Sequence, residues 1–289
     1  MSEFGGGSDP SAPIFVELQL DAWIAALGRM SAKNPAMARI LHIVDRLQDR
    51  PYRTHALFLG EAGTGKDGLA RLLFRLMHPE GGPCERCFLH GRSESEMETQ
   101  LFGGADGPGL FSKARGGALI LDEVLALSPH LQGRLHAALS RQRWTQPSQC
   151  VTVLAMSDGD VEAAVASGSF RHDLYYKLCR LVLRVPPLRD RKDDLGHAAV
   201  WMANRVLRDR GQSRPAELFD PAAEAPLPAA GAYRITTASI DALRTHEGDW
   251  PGNFRELESV IERAILLYSD GELLQADDIE RALSDLRNA

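Results

Sequence analysis

The sequence predicts an α/β fold with a parallel sheet, followed by a smaller all-helical unit. Two observations support this prediction. Short apolar runs alternate with helix-like segments, a pattern typical of a parallel sheet covered on both faces. The runs are Ala56–Leu59, Cys87–Leu89, Ala118–Leu121, Val151–Ala155 and Leu181–Val185. After Pro186-Pro187 these runs stop, and apolar residues recur at helical spacing instead.

The remaining elements follow in chain order. Residues 1–13 are rich in Gly and Ser and predict a flexible leader. Helical periodicity is present from Leu18 to Leu27 and from Pro35 to Leu47. Beyond the strands, helices are predicted over 192–211, 238–246, 253–268 and 276–287, with an Ala/Pro-rich loop or insertion at 213–236. The predicted division is therefore a leader (1–13), an α/β core (14–190) and a helical lid (191–289).

Composition excludes several classes of protein. The chain has 289 residues, 33 Lys and Arg against 39 Asp and Glu, and a net charge of −6. That balance disfavours a protein that coats nucleic acid, which would be basic. The apolar runs are far shorter than the ~18–20 residues that span a bilayer. The first ten residues lack the features of a signal peptide. We therefore expect a cytoplasmic protein without a membrane segment.

The strongest motif follows the first predicted strand and precedes a helix. It reads Gly60-Glu-Ala-Gly-Thr-Gly-Lys-Asp67. Glycines let backbone N–H groups turn towards phosphates, and the lysine reaches the β- and γ-phosphates. The Ser or Thr that commonly ligates magnesium is replaced by Asp67, and Thr64 does not substitute for it by spacing. The predicted nucleotide-binding residues of this loop are Gly60, Gly63, Thr64, Gly65, Lys66 and Asp67.

A second motif, Leu119-Ile-Leu-Asp122-Glu123, ends an apolar strand in two acids. Parallel strands deliver such carboxylates to the sheet edge where ligands bind. We expect Asp122 to hold Mg²⁺ and Glu123 to polarise the water that attacks ATP.

Three later segments resemble a known family. They are Phe170-Arg-His-Asp-Leu-Tyr-Tyr-Lys-Leu178, Pro186-Pro-Leu-Arg-Asp-Arg-Lys-Asp-Asp-Leu195 and Trp250-Pro-Gly-Asn-Phe-Arg-Glu-Leu257. Together with the phosphate loop they resemble the AAA+ ATPase domain of bacterial enhancer-binding proteins, the activators of sigma-54 RNA polymerase. The acidic Asp67 fits this family, which usually carries Glu there. The resemblance implies an AAA+ P-loop NTPase fold with a helical lid, and assembly into a ring, usually a hexamer, with ATP between subunits.

The resemblance also implies roles for single residues. Arg171 matches the arginine finger that reaches the γ-phosphate of a neighbouring subunit. Lys177 stands where the family has a second arginine, and it keeps the charge but loses the planar fork. Arg255 matches the lid arginine that senses the phosphates in the same subunit. Asp158 replaces a neutral amide close to the γ-phosphate, which could weaken ATP binding or slow hydrolysis.

Two segments of the family pattern are missing. Between Leu101-Phe-Gly103 and Gly116, family members have a loop with the signature Gly-Ala-Phe-Thr-Gly-Ala, which contacts sigma-54. This chain has only Gly104-Ala-Asp-Gly-Pro108 before Gly109. The family's helix-turn-helix DNA-binding domain after the lid is also not found in the chain. We therefore expect regulation of transcription by a route that does not use the sigma-54 loop.

Two functions stay open at this point. The first is an ATPase that forms a homo-oligomeric ring, or a mixed ring with a related activator, and acts on the transcription machinery or a regulatory protein. The alternative is a non-hydrolysing module that is switched by nucleotide and binds a regulatory partner or co-assembles with a related activator. A zinc-like set of His78, Cys84, Cys87 and His90 is a weak signal, and buried thiols with ordinary histidines are the simpler interpretation.

Overall fold

A computed structural model describes residues 34–105, 107–212, 215–219 and 232–287. The leader and the helix predicted around Leu18 to Leu27 lie outside the described residues. In the α/β part the elements are α1 (Pro35–Asp49), β1 (Ala56–Leu59), α2 (Lys66–Met77), β2 (Cys84–Phe88), α3 (Glu94–Phe102), β3 (Gly103–Gly104), β4 (Gly107–Pro108), α4 (Leu110–Lys113), β5 (Ala118–Asp122), α5 (Pro129–Ser140), β6 (Thr152–Ser157), α6 (Val161–Ala166), α7 (His172–Leu178) and β7 (Leu181–Arg184). The C-terminal part contains α8 (Leu195–Asp209), β8 (Ala216–Phe219), β9 (Tyr233–Thr236), α9 (Thr237–Thr245), α10 (Phe254–Arg263), β10 (Leu273–Leu274) and α11 (Ala276–Arg287).

The five predicted strands form one parallel sheet in the order β2-β5-β6-β1-β7. Register places the last residue of β1, Leu59, beside Ser157 of β6, and Phe88 beside Asp122 of β5. The ends of β1, β5 and β6 therefore meet at one edge of the sheet. The second strand was predicted at Cys87–Leu89 but begins at Cys84. Its first three residues, Cys84-Glu-Arg86, include two charged side chains, so they lack the apolar pattern of a buried strand.

Helices cover both faces of this sheet. On one face, α1 and α2 pack on alternate strand residues such as Phe58, Ile120 and Leu154. On the other face, α5 and α7 pack on the residues in between, such as Leu57 and Leu121. Because successive side chains of a strand point to opposite faces of the sheet, each buried strand contributes residues to both cores. Asn34 caps α1 by accepting hydrogen bonds from Ala36 N and Met37 N, which fixes where that helix begins.

The C-terminal part has its own hydrophobic core, formed by α8 to α11 around the fully buried Trp250 and Tyr233. It is helical as predicted, but it is not all-helical. A parallel three-stranded sheet of order β10-β9-β8 lies within it, and two of its strands fall in the segment 213–236 that we predicted to be a loop. The strands are short, and the Ala/Pro-rich composition around them hides their periodicity.

Two very short strands, β3 and β4, lie between α3 and α4, in the segment where the sequence analysis expected a shortened loop. In it β3 pairs antiparallel with β4, Gly103 with Pro108 and Gly104 with Gly107. The two ends approach so closely that a Cβ atom on Gly109 would lie 2.3 Å from Gly103 N. The hairpin therefore joins α3 directly to α4. Within the described ranges, no helix combines the length and apolar character needed to cross a membrane.

Candidate nucleotide-binding site

The loop between β1 and α2 adopts the conformation that its glycines permit. Gly63 and Gly65 have φ angles of +75° and +95°. At Gly63 a Cβ atom would lie 2.3 Å from Gly252 O, so a side chain is excluded there by contact as well as by backbone conformation. Helix α2 begins at Lys66, directly after the loop, and its N-terminal N–H groups favour an anion at this point. The hydroxyl of Thr64 donates to Glu61 O at 2.8 Å, the same carbonyl that Lys66 Nζ contacts, so this hydrogen bond stabilises the loop itself.

Lys66 is held by the protein itself. Its side chain is 7% exposed, and Nζ donates to Gly60 O at 2.6 Å and to Glu61 O at 2.8 Å. The third partner is the carboxylate of Asp158, at the end of β6. Asp158, which the resemblance places where the family has a neutral amide, thus pairs directly with the lysine predicted to bind phosphate.

Asp122, predicted to hold Mg²⁺, and Asp67, predicted to bind nucleotide, both contact one cation. Arg86 of β2 places Nη2 2.7 Å from Asp122 Oδ2 and Nη1 2.9 Å from Asp67 Oδ1. The Phe88 ring lies 4.2 Å from the guanidinium carbon. Magnesium binds oxygen ligands and keeps several waters, so it needs free carboxylate oxygens with space beside them. With a guanidinium between Asp67 and Asp122, these residues do not fit a magnesium site in this arrangement.

Glu123 has a strained backbone and a fixed side chain. Its φ angle is +63°, which is uncommon for a residue with a Cβ atom and is frequent at functional sites. Oε1 accepts a hydrogen bond from Ser157 Oγ at 3.0 Å, and Oε2 accepts one from Asp158 N at 3.0 Å. The carboxylate is therefore oriented while it still has lone pairs available for a water molecule.

Two arginines in the segment that leads into the C-terminal part contact the loop, and neither was predicted to have a role. Arg189 forms a two-bond ion pair with Glu61, at 2.9 and 2.5 Å. Arg191 is 4% exposed and donates to Thr64 O at 2.7 Å, and burial lowers its pKa to about 10, so it stays charged. Both arginines belong to the motif after Pro187, which could have flagged them.

Asn253 fixes a third connection between the two parts. It is fully buried, its Oδ1 accepts from Leu188 N at 2.7 Å, and its Nδ2 donates to Ala62 O at 3.0 Å. The neighbouring Phe254 N donates to Gly63 O at 3.0 Å. The phosphate loop is thus held from the side of the C-terminal part as well as by the sheet.

The predicted arginines and Lys177 lie in three different places. Arg255 is exposed and lines the cleft above the loop, with its Cγ close to Gly63. Arg171 is outside that cleft, on the surface, where it forms a two-bond ion pair with Asp173 at 3.0 and 2.7 Å. Lys177 lines a separate groove beside the start of β1, with His55 and Arg180. The described chain therefore does not bring Arg171 and Lys177 to its own phosphate loop.

The weak metal set does not assemble. His78 is buried against Thr152, with Nε2 and Oγ1 3.0 Å apart, and Cys87 Sγ donates to Gln100 Oε1 at 3.3 Å. Burial raises the pKa of Cys87 to about 11, which is unlike a metal-binding thiolate. Cys84 lies exposed at the start of β2, so the expectation of buried thiols is wrong for this cysteine. In the part of the chain that the structure describes, no cluster of three His, Cys, Asp or Glu side chains is placed to hold a metal ion.

The cleft around the loop unites most of the predicted residues. It is lined by Met37, Gly63 to Leu69, Arg86, Asp122, Met156, Asp158, Arg191, Ala198, Trp201, Met202, Arg205, Phe254, Arg255 and Glu258. A phosphate loop after the first strand, acids on the next strands and a helical part above the cleft define a P-loop protein of the AAA+ class.

Comparison with known families agrees with this class. The family described as Sigma-54 interaction domain matches residues 30–184, and the AAA+ ATPase lid domain matches residues 228–289. The chain belongs to the sigma-54 interaction domain family.

Relatives and solved structures extend the comparison. The Nif-specific regulatory protein of Azotobacter vinelandii is 30% identical over 83% of this chain and 44% of its own length. The response regulator protein PilR of Pseudomonas aeruginosa is 33% identical over 86% and 54%. The chain thus spans about half the length of the curated relatives it matches.

The solved structures show the shared fold. NtrX from Brucella abortus in complex with ATP has a TM-score of 0.69 at 24% identity, over 93% of this chain and 58% of that one. The RuvB Holliday junction branch migration motor of Thermotoga maritima has a TM-score of 0.55 at 15% identity, over 89% and 70%.

Proposed function

We propose that this chain is an ATP-binding and ATP-hydrolysing AAA+ domain of a bacterial transcription regulator. The observation that carries the proposal is the meeting of Lys66 and Glu123 at one edge of the sheet, on either side of Asp158. Lys66 supplies the positive charge for the phosphates. Glu123 is fixed by Ser157 and holds two lone-pair positions for a water molecule.

The proposed reaction is hydrolysis of the terminal phosphoanhydride of ATP. The water oxygen forms a bond to the γ-phosphorus while the bond to the β–γ bridging oxygen breaks, giving ADP and phosphate. Glu123 orients the water and accepts its proton. Magnesium at Asp122 stays a prediction from the resemblance, and no step of this proposal depends on it.

Arg171 is proposed to act on the ATP of a neighbouring subunit in a ring, a homo-oligomer or a mixed ring with a related activator. What supports this is its exposed position outside the chain's own cleft, on the α7 surface. Its ion pair with Asp173 is exposed and easily exchanged for a phosphate contact. Lys177 is kept as a proposed second cation in that interface.

The proposed output is control of transcription without the usual sigma-54 loop, in the cytoplasm. The pairing of β3 with β4 supports an output without that loop, because the hairpin is too short to reach a partner that the full loop touches. We retain the proposed division into leader, core (14–190) and lid (191–289), and the separate hydrophobic core that starts at Leu188 supports the boundary.

The proposal is tested by phosphate release across a range of protein concentrations. Activity per chain is expected to rise with concentration, because the site needs a neighbour. Glu123→Gln and Arg171→Ala are each expected to lower it at least ~100-fold, while Glu123→Gln still binds ATP. The matched control is Arg184→Ala, which removes another exposed arginine, paired with Glu162, at 61% side-chain exposure. Equal turnover in all four proteins would refute the assignment.

A non-hydrolysing, nucleotide-switched interaction module remains the second candidate. The observation that favours it is the occupation of both Lys66 and Asp122 by protein partners, Asp158 and Arg86. ATP binding without phosphate release at any protein concentration would support this candidate over the first. A pull-down with sigma-54 polymerase separates the routes of action, and strong activation in an open-complex assay would contradict the argument from the hairpin.

A further inference from the structure

Arg86 occupies the place in this site where a P-loop protein commonly has a divalent cation. It comes from β2, and its side chain reaches over the end of β5 to Asp122 and across to Asp67 on α2. These are the position after the phosphate-loop lysine and the acid that ends the strand. The two positions that would flank a magnesium ion therefore both face one guanidinium.

The guanidinium is held firmly. Nη2 lies 2.7 Å from Asp122 Oδ2 and Nη1 lies 2.9 Å from Asp67 Oδ1. The guanidinium carbon lies 4.2 Å from the centre of the Phe88 ring. Its side chain is 18% exposed, against 24% for Asp67 and 32% for Asp122. Arginine does not lose its charge in a protein, so this cation is permanent.

Arg86 also faces the nucleotide site. It lines the same cleft as Lys66 and Arg255. Its Nε is buried, so a phosphate in the cleft would be bound through the second N–H of Nη1 or of Nη2, each of which makes one carboxylate contact. Phosphate oxygens are the acceptors that match an arginine in charge and geometry.

We propose that Arg86 is a phosphate-binding residue that takes the place of the divalent cation, so that this chain binds ATP without magnesium. This inference rests on the proposed function in one respect, since it requires that the cleft binds ATP. A dication at Asp122 would have to enter beside a fixed positive charge and would lose a carboxylate oxygen already bound by Arg86. Arg86 instead neutralises Asp67 and Asp122, which would otherwise repel the polyphosphate.

The test is the dissociation constant of ATP measured by titration calorimetry, in excess MgCl₂ and in EDTA. For the unaltered protein, the two constants are expected to agree within about threefold. Arg86→Ala is expected to bind at least ~10-fold more weakly in EDTA and to recover in MgCl₂, because the freed carboxylates then accept the ion. Arg86→Gln keeps most of the contact with Phe88 and is the second variant should the alanine protein not fold.

Arg71→Ala is the matched control. Arg71 also pairs with Asp67, with Nε 3.2 Å from Oδ2, but it does not line the cleft. For Arg71→Ala, the dissociation constants of ATP in MgCl₂ and in EDTA are expected to agree as they do for the unaltered protein. A dissociation constant of the unaltered protein that rises at least tenfold in EDTA overturns the proposal. So does a magnesium dependence of the Arg86 variants that equals that of the unaltered protein. Absence of ATP binding under both conditions would instead refute the proposed nucleotide-binding function.

Discussion

Asp158 pairs with Lys66, the lysine proposed to bind phosphate, and on that proposal replacing Asp158 with Asn should tighten ATP binding. In the structure the Asp158 carboxylate forms an ion pair with Lys66 Nζ, which ATP must displace before the lysine can bind phosphate. Asparagine keeps the size and a carbonyl acceptor but removes the charge. The two carbonyl bonds of Lys66, to Gly60 and Glu61, do not depend on the substituted side chain.

The expected change in the dissociation constant of ATP depends on how exposed the Lys66–Asp158 ion pair is. The Lys66 side chain is 7% exposed and that of Asp158 is 47% exposed, so the pair is half in water. An ion pair of this kind contributes about 1 kcal/mol. Removing a negative charge that faces the polyphosphate contributes about 1 kcal/mol more, the Coulomb energy of two charges ~4 Å apart in water. The sum of about 2 kcal/mol corresponds to a dissociation constant lowered ~30-fold, and the ion pair alone to about fivefold.

The assay is a calorimetric titration with ATP at fixed ionic strength. Asp160→Asn is a matched control, because Asp160 lies on the same loop and caps α6 by accepting from Ala163 N at 2.9 Å, away from Lys66. Asparagine caps a helix about as well as Asp, so this protein should bind like the unaltered one. If Asp158→Asn binds ATP no more tightly than the Asp160→Asn control, the competition between Asp158 and phosphate for Lys66 is wrong.

Three further predictions concern stability. Gly63→Ala places a methyl group 2.3 Å from Gly252 O at a φ of +75° and should cost about 3 kcal/mol in urea unfolding, whereas an unchanged midpoint would refute the close approach. Asn253→Ala leaves the buried Leu188 N and the part-buried Ala62 O without these partners and should cost about 2–4 kcal/mol, measured in the same way, and a loss below 1 kcal/mol would contradict its bridging role.

Burial lowers the pKa of His55 and of His78 from 6.5 to about 4. Because the unfolded chain then binds more protons below pH 6.5, the free energy of unfolding should fall between pH 6.5 and 4, by up to about 3 kcal/mol for each histidine. Urea titrations at several pH values with no such slope would show that these histidines are not buried in neutral form.

Much of the core and of the loop could be predicted from local sequence. Buried parallel strands read as continuous apolar runs, so β1, β5 and β6 are visible without tertiary information. The phosphate loop is visible because its glycines have positive φ angles that few other residues adopt. The small sheet of the C-terminal part escaped prediction, because β10 has only two residues and too short a pattern to recognise.

The contacts that decide the charge of the site are non-local. Arg86 lies in a strand whose first residues are polar, and nothing in its spacing indicates that Asp67 and Asp122 converge on it from a helix and another strand. Asn253 likewise meets Ala62 from the far end of the chain. Asn253 belongs to the Trp250–Leu257 motif, for which the sequence predicted a role only for Arg255, and only packing shows which atoms Asn253 contacts.

In the proposed mechanism, nucleotide binding and the positioning of water depend on different atoms of Asp158, the residue that follows β6. The side chain of Asp158 competes for Lys66, whereas its backbone N–H donates to Glu123 Oε2 at 3.0 Å. When phosphate displaces the Asp158 carboxylate, the N–H and the hydroxyl of Ser157 still hold Glu123 in place. On the proposed function, the charge at position 158 should therefore act on the affinity for ATP, while the orientation of the attacking water should depend on the backbone and on Ser157. This separation explains how an acid can stand where the family has an amide without disturbing the carboxylate next to it.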